Sequence, residues 1–184
     1  MTAENQAWYE ELRRRYRPSQ TEIVFLGESA PDPGEGQRRF FYAPELRADN
    51  LFRGLMLTLY DAGRDQVAGC KKFWLERFQR DGFWLLDVSL KPVNKLPSSE
   101  RSRVLRHEAP GAVERIREAD PRVGVVVCHT RAFEAAAGPI RAAGIRLLPD
   151  RPLPFPLGNR RHQFVAGVRA SLALAGIKAP LGEN

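Results

Sequence analysis

Short apolar segments that alternate with helical patterns are the feature that most limits the folds open to this chain. The segments predicted as strands are Glu22–Leu26, Gly82–Val88, Val123–Cys128 and Ile145–Leu148. Near-continuous apolar runs of this length are typical of parallel strands that helices cover on both faces. Strands that alternate with helices form βαβ units with right-handed crossovers. We therefore predict an α/β fold, a three-layer αβα arrangement around a mostly parallel four-stranded sheet.

Helical spacing of apolar residues fills the intervals between these strands. The predicted helices are Glu4–Tyr16, Leu51–Tyr60, Cys70–Gln79, a long polar helix from Ser98 to Ala119, Arg131–Ala143 and Asn159–Ala175. We expect Asn50 to cap the second helix and Pro110 to break or restart the long one. With 184 residues the chain is long enough for one full core, so we predict a single domain over residues 1–184.

Composition narrows the possible partners. The formal net charge of +7 suits an anionic partner such as DNA, although arginines spread along nearly every helix also fit a genome-wide compositional bias. The apolar runs are strand-sized and the first residues lack an apolar signal core, so we expect a cytoplasmic monomer that does not contact membranes.

Two cysteines and three scattered histidines predict no metal site. The absence of a Gly-x-Gly-x-x-Gly pattern after a strand predicts no dinucleotide, and we expect no cofactor.

Polar residues follow three of the predicted strands at the point where each strand ends. Glu28 follows the first strand, Asp87 lies near the end of the second, and His129 follows the third. Ligands of open α/β sheets bind just beyond the carboxyl ends of the strands, so we expect these side chains to meet at one mouth. A proline-rich loop, Arg151–His162, follows the fourth strand and ends in cations beside a helix start, which suits phosphate.

The order of these motifs resembles the uracil-DNA glycosylase superfamily over about Glu22 to Leu174. Gly27–Pro31 resembles the motif that ends the first strand in that superfamily, and Phe40 or Phe41 stands where an aromatic stacks on the flipped base. Leu85–Val88 resembles the strand that ends in the base-reading residue. Leu153–Leu157 occupies the place of a late loop that inserts into DNA.

The resemblance implies a set of site residues, each with a structural alternative. Glu28 and Asp87 are the candidate catalytic carboxylates, and Gly27, Ser29, Phe40, Phe41, Asn94 and His129 the candidate substrate-binding residues. The candidate nucleic-acid contacts are Lys95, Pro154, Phe155, Arg160, Arg161 and His162. The alternatives are loop capping by Glu28 and Ser29, core packing by the aromatics, a turn hydrogen bond by Asn94 and a backbone contact by His129.

Three departures from the superfamily pattern bear on the chemistry. Leu153 stands where the late loop usually has a histidine, Asp87 replaces the amide that closes the second strand, and the position of the water-activating acid falls near Ser29. An ionised aspartate only accepts hydrogen bonds, so it repels a carbonyl edge such as that of uracil. Asp87 therefore favours either a base edge rich in donors or a catalytic role.

These observations lead to one hypothesis with two alternatives. The first is a DNA glycosylase that hydrolyses the N-glycosidic bond of a damaged or modified flipped base in base-excision repair. The second is a catalytically inactive nucleic-acid-binding module of the same fold, and the third is a protein that binds a free base or nucleoside.

Overall fold

Three apolar segments form the centre of the molecule. The computed structural model describes residues 3–32, 34, 40–45 and 49–181. Its strands are β1 (Ile23–Gly27), β2 (Phe83–Asp87) and β3 (Gly124–Val127), and every residue in them is buried. They pair in parallel in the order β2-β1-β3, with Gly27 beside Asp87 and Leu26 beside Val127. All three strands therefore end at the same edge of the sheet.

The predicted fourth strand is reduced to a single bridge. Leu147 pairs in parallel with Val125, and two backbone hydrogen bonds flank the bridge, from Val125 N to the Arg146 carbonyl and from Leu148 N to the Val125 carbonyl (both 2.8 Å). Pro149 follows at once, and proline is disfavoured inside a continuing strand. The prediction of four strands is thus wrong for the part of the chain that the structure describes, where three strands are present.

Helices cover the sheet on both sides. They are α1 (Ala3–Arg15), α2 (Asn50–Tyr60), α3 (Arg64–Val67), α4 (Lys71–Arg80), α5 (Ser98–Ala119), α6 (Thr130–Ala142) and α7 (Arg161–Leu174). Helices α2 to α4 connect β1 to β2, which lies on one side of it. Helix α5 connects β2 to β3 on the other side of β1, so this connection crosses the sheet in the opposite direction. Right-handed crossovers place these two groups on opposite faces. Because α6 packs on α5 and α7 packs on α2, the result is an αβα arrangement.

Three details of the helices differ from the sequence predictions. Asp49, not Asn50, caps α2, since its side chain accepts from Phe52 N at 2.7 Å. Pro110 lies inside a continuous α5. Both Pro110 and Arg106, whose carbonyl loses its helical partner there, are exposed, so water can satisfy the carbonyl at little cost. The last helix begins at Arg161, after a 3-10 turn at Gly158–Arg160, and not at Asn159.

Helix α1 lies beside the edge strand β2. Trp84 Nε1 donates to the Arg13 carbonyl at 3.2 Å, and the Arg17 guanidinium lies 5.1 Å from the Trp84 ring centroid. These contacts bring the side chain of Arg13 toward the end of β2. In the described ranges, no helix combines the length and the apolar character required to cross a bilayer.

Candidate functional site

A cavity of about 360 Å³ lies at the carboxyl ends of the three strands. Its walls include Glu28 and Ser29 after β1, Asp87 at the end of β2 and His129 after β3. The volume falls in the range of small-molecule sites, roughly 300–1,000 Å³. A wider open groove of about 1,250 Å³ lies at the opposite end of the sheet, where Phe83 begins β2. Only the smaller cavity collects the polar strand ends at which ligands of such sheets bind.

Glu28 is buried in this cavity with one carboxylate oxygen engaged and the other free. Arg101 Nη2, from α5, forms an ion pair with Glu28 Oε2. Glu28 Oε1 lies 3.2 Å from His129 Nδ1 and 3.7 Å from Arg131 Nη1, but it accepts no hydrogen bond from the described residues. Only 8 % of Glu28 is exposed, and a buried oxygen without a donor is unusual in a folded protein. Oε1 is therefore a buried acceptor whose hydrogen-bonding capacity the described residues leave unused.

The state of His129 explains why Glu28 Oε1 has no donor. His129 caps α6, and its Nδ1 accepts a hydrogen bond from Arg131 N at 3.1 Å. Burial lowers the pKa of His129, and the charges of Arg101 and Arg131 lower it further, while the charge of Glu28 opposes the shift. A neutral imidazole that accepts at Nδ1 carries its proton on Nε2. The ring nitrogen of His129 nearest to Glu28, Nδ1, is thus an acceptor, and the N–H at Nε2 remains as a donor for another group.

Asp87 is paired with an arginine that is itself buried. Arg13 Nη2 lies 2.5 Å from Asp87 Oδ2, and both side chains are almost fully buried. The pKa of Arg13 is raised, because the charges of Asp87 and Glu10 more than offset the lowering caused by burial. Asp87 Oδ1 faces Gly27, where an added Cβ would come within 2.7 Å of it. The absence of a side chain at Gly27 therefore leaves space for this carboxylate at the cavity wall.

Phe40 and Phe41 form an aromatic wall that is anchored in the core. Both line the cavity, and each is only 3 % exposed. The Phe40 ring lies 4.9 Å from the Tyr9 ring centroid, and the Phe41 ring lies 5.3 Å from that of Phe52. Lys71 Nζ donates to the Phe40 carbonyl at 3.0 Å, and burial lowers the pKa of this lysine to about 8. Both aromatic side chains therefore pack in the core and also form part of the cavity wall.

Ser29 and Asn94 hold two loops against each other. Ser29 Oγ accepts from Val93 N at 3.1 Å. Asp32 N donates to Asn94 Oδ1 at 2.8 Å, and Asn94 Nδ2 donates to the Asp32 carbonyl at 3.3 Å. Lys95 forms an ion pair with Asp32 at 3.2 Å instead of extending toward the cavity. Ser29 and Asn94 line the cavity, and the contacts they make join the loop after β1 to the loop after β2.

The proline-rich loop contributes one residue to the cavity and one exposed apolar side chain. Phe155 lines the cavity with its ring centroid 5.5 Å from that of His129. Leu153, which stands at the usual histidine position of the resemblance, is 2 % exposed and packs on Gly167 of α7. Pro156 packs against Gly54 of α2 in the same way. Leu157 at the tip of the loop is 58 % exposed.

The remaining predicted nucleic-acid contacts lie outside the cavity. Arg160 and His162 are exposed after the loop, while Arg161 is half-buried with its Nη2 3.4 Å from Asn50 Oδ1. Pro154 is half-buried and does not line the cavity. The loop tip and these cations form a surface that is separate from the cavity and joined to it through Phe155.

Sequence reasoning missed the arginines that partner the two carboxylates. Arg101 and Arg131 lie in the first turns of α5 and α6, the helices that follow the ends of β2 and β3. That position was a usable signal, since the first turn after a strand end faces the same mouth. Arg13 had no such signal, because it lies 74 residues from Asp87 along the chain.

No protein-family model matches this chain, and no curated protein matches it either. The assignment of the site therefore depends on the geometry described above and on the order of the sequence motifs.

Proposed function

We propose that this protein hydrolyses the N-glycosidic bond of a damaged or modified base that has flipped out of DNA. The observation that carries the proposal is the buried Glu28, whose Oε1 lacks a donor in a cavity with aromatic walls. By analogy with glycoside hydrolysis, a carboxylate near the anomeric carbon and a platform for the base would assist removal of a base from its sugar. Glu28 is the candidate for the carboxylate, and Phe41, which stands near the stacking aromatic of the resemblance, is the candidate for the platform.

Glu28 is suited to activating a water. Its free Oε1 accepts a hydrogen bond from the water, whose oxygen bonds to C1′ of the sugar as the C1′–N bond breaks. The electron pair of that bond leaves with the base, and the proton lost by the water passes to Glu28. The ion pair with Arg101 fixes the carboxylate, so the water-accepting oxygen is placed before substrate binds.

His129 is suited to stabilising the leaving base. Its neutral ring carries a proton on Nε2, which can be donated to an acceptor on the base as negative charge develops there. A neutral donor of this kind loses no proton in the step, so the base takes up its proton from water after release. Arg131 N fixes the orientation of the ring through Nδ1.

The surface next to the cavity has apolar and basic side chains of the kind that contact DNA. A base inside a duplex cannot reach an active site of this depth, so the nucleotide must leave the stack. The exposed Leu157 is an apolar side chain of the type that enters a base step, and Arg160 and His162 follow it on the same segment. The net charge of +7 favours attraction to the phosphate backbone.

An oligonucleotide panel tests the proposal. Duplexes and single strands that carry uracil, hypoxanthine, alkylated adenine or alkylated cytosine are incubated with the protein, and abasic sites are detected by alkaline cleavage. The proposal predicts abasic sites with at least one modified base and none with an unmodified duplex. Salt-dependent binding without abasic sites across the whole panel contradicts it and identifies the chain as a nucleic-acid-binding module.

A further inference from the structure

We propose that Asp87 makes this cavity selective for bases that carry an exocyclic amino group, such as alkylated adenine or cytosine, over the corresponding deaminated bases. The excision part of this inference rests on the proposed function, whereas the binding part can be tested without any excision. Two observations carry it: the engagement of only one Asp87 oxygen and the buried position of the arginine that engages it.

Asp87 offers the cavity one acceptor and no donor. Its Oδ2 is taken by Arg13, so Oδ1 is the oxygen left to meet a ligand. An ion-paired carboxylate carries no proton to donate, whereas an asparagine amide could turn either an acceptor or a donor to the base. The amide of Asn94 is paired with the loop after β1, since its Oδ1 accepts from Asp32 N and its Nδ2 donates to the Asp32 carbonyl.

Arg13 keeps Asp87 in this state from a fixed position. Its Nη1 lies 2.6 Å from Glu10 Oε1, and its guanidinium carbon lies 5.0 Å from the Phe40 ring centroid. The carbonyl of Arg13 accepts from Trp84 Nε1, and the residue is 4 % exposed. Any movement of the Arg13–Asp87 pair to accommodate a carbonyl oxygen of the base would break these contacts.

The chemistry of the bases then sets the direction of the preference. Adenine carries an amino group on the six-membered ring where hypoxanthine carries a carbonyl. Cytosine carries an amino group where uracil carries a carbonyl. The amino group donates to Asp87 Oδ1, while the carbonyl places two lone pairs against a negative oxygen. We expect a mispaired buried group of this kind to lower the affinity about tenfold.

Among amino-bearing bases, those alkylated on a ring nitrogen suit the proposed reaction. Such a base carries a positive charge, so when the C1′–N bond breaks its electron pair returns to the ring and cancels that charge. The water oxygen bonds to C1′, its proton goes to Glu28, and the base leaves neutral with no proton added. This step requires no histidine on the late loop, where Leu153 is packed into the core.

Binding of free bases tests the preference directly. The dissociation constants of free adenine, hypoxanthine, cytosine and uracil are measured by calorimetry and by the rise in melting temperature of the wild-type protein. We expect adenine to bind about tenfold more tightly than hypoxanthine, and cytosine about tenfold more tightly than uracil. Equal affinity within each pair, preference for the carbonyl base, or no binding of any base overturns the inference.

Asp87→Asn supplies a second test, with Asp120→Asn as its control. Asp120 is exposed at the end of α5 with φ 47°, a conformation that asparagine tolerates, so its replacement should leave the preference intact. We expect Asp87→Asn to narrow or reverse the preference within both base pairs. A folded Asp87→Asn protein with an unchanged preference overturns the inference, and the wild-type comparison stands as the test if that variant does not fold.

Measurement of base release from the modified oligonucleotides distinguishes failure of the inference from failure of the proposed function. Faster release of uracil or hypoxanthine than of alkylated adenine or cytosine overturns the inference and leaves base excision standing. Selective binding of free amino-bearing bases with no release from any oligonucleotide supports the inference and contradicts the proposed function.

Discussion

The ends of β1 and β2 carry one carboxylate each, and arginines hold the two in different ways. At the end of β1, Glu28 is paired with Arg101, whose side chain is 24 % exposed, and one of its oxygens has no donor. At the end of β2, Asp87 is paired with Arg13, whose side chain is 5 % exposed and is enclosed by α1 and the aromatic wall. The first arrangement leaves a carboxylate available for chemistry, and the second fixes a carboxylate as part of the wall.

Loss of the deeper arginine gives the largest expected effect and tests this contrast. Arg13→Met leaves Asp87 as a buried charge without its partner, so we expect a loss of about 3–5 kcal/mol in the free energy of unfolding, measured with urea. Arg101→Met is the matched variant at the end of β1. That variant also leaves a buried carboxylate, but Arg131 Nη1 stays 3.7 Å from Glu28 Oε1, so we expect a smaller loss of roughly 1–3 kcal/mol. Equal losses at the two sites would remove the distinction between them.

A methyl group added at Gly27 tests whether the Asp87 carboxylate is fixed in place. The added Cβ would come within 2.7 Å of Asp87 Oδ1, so either the carboxylate or β1 must shift. We expect Gly27→Ala to lower the free energy of unfolding by roughly 1–3 kcal/mol. Gly138→Ala on α6 is the control, because its Cβ would meet nothing within 4 Å. A fully stable Gly27→Ala protein would show that Asp87 is free to move.

The smallest expected effect concerns pH at the Glu28 side. The pKa of His129 is lowered in the folded protein, mainly by burial, whereas the unfolded chain binds a proton near pH 6.5. The stability contributed by neutral His129 is therefore present above about pH 6.5 and is lost as the pH falls toward the lower folded-state pKa. Urea unfolding of the wild type and of His129→Asn, which can still cap α6, measures this contribution. We expect that lowering the pH from about 7.5 to about 5.5 reduces the free energy of unfolding less in the variant than in the wild type.

The part of the site that could be predicted from sequence is the part that strand order determines. The apolar runs around Phe25, Leu85 and Val126 each became a buried strand, and parallel pairing then brought Glu28, Asp87 and His129 to one cavity. The fourth strand failed because its apolar run is only a few residues long and a proline follows directly. A short apolar run does not show how many ladder hydrogen bonds it will form.

The partners of these residues could not be predicted from local pattern. Arg13 meets Asp87 across 74 residues of chain, and Asn94 meets Asp32 across 62. Such contacts depend on how helices and loops pack after the sheet has formed, and the chain has many arginines with similar surroundings in sequence. The contrast between Glu28 and Asp87 is therefore a property of the tertiary structure, since both simply follow apolar runs in the sequence.

The most direct test of the central claim is the rate at which a modified base is released from DNA by the wild type and by Glu28→Gln. The modified oligonucleotide that gives abasic sites most readily is used in single turnovers, and Glu114→Gln, an exposed change on α5, is the control. We predict that Glu28→Gln folds, binds the oligonucleotide and releases base about 10²–10⁴-fold more slowly, while Glu114→Gln matches the wild type. Release by folded Glu28→Gln at the wild-type rate would contradict the assignment of Glu28 as the group that activates water.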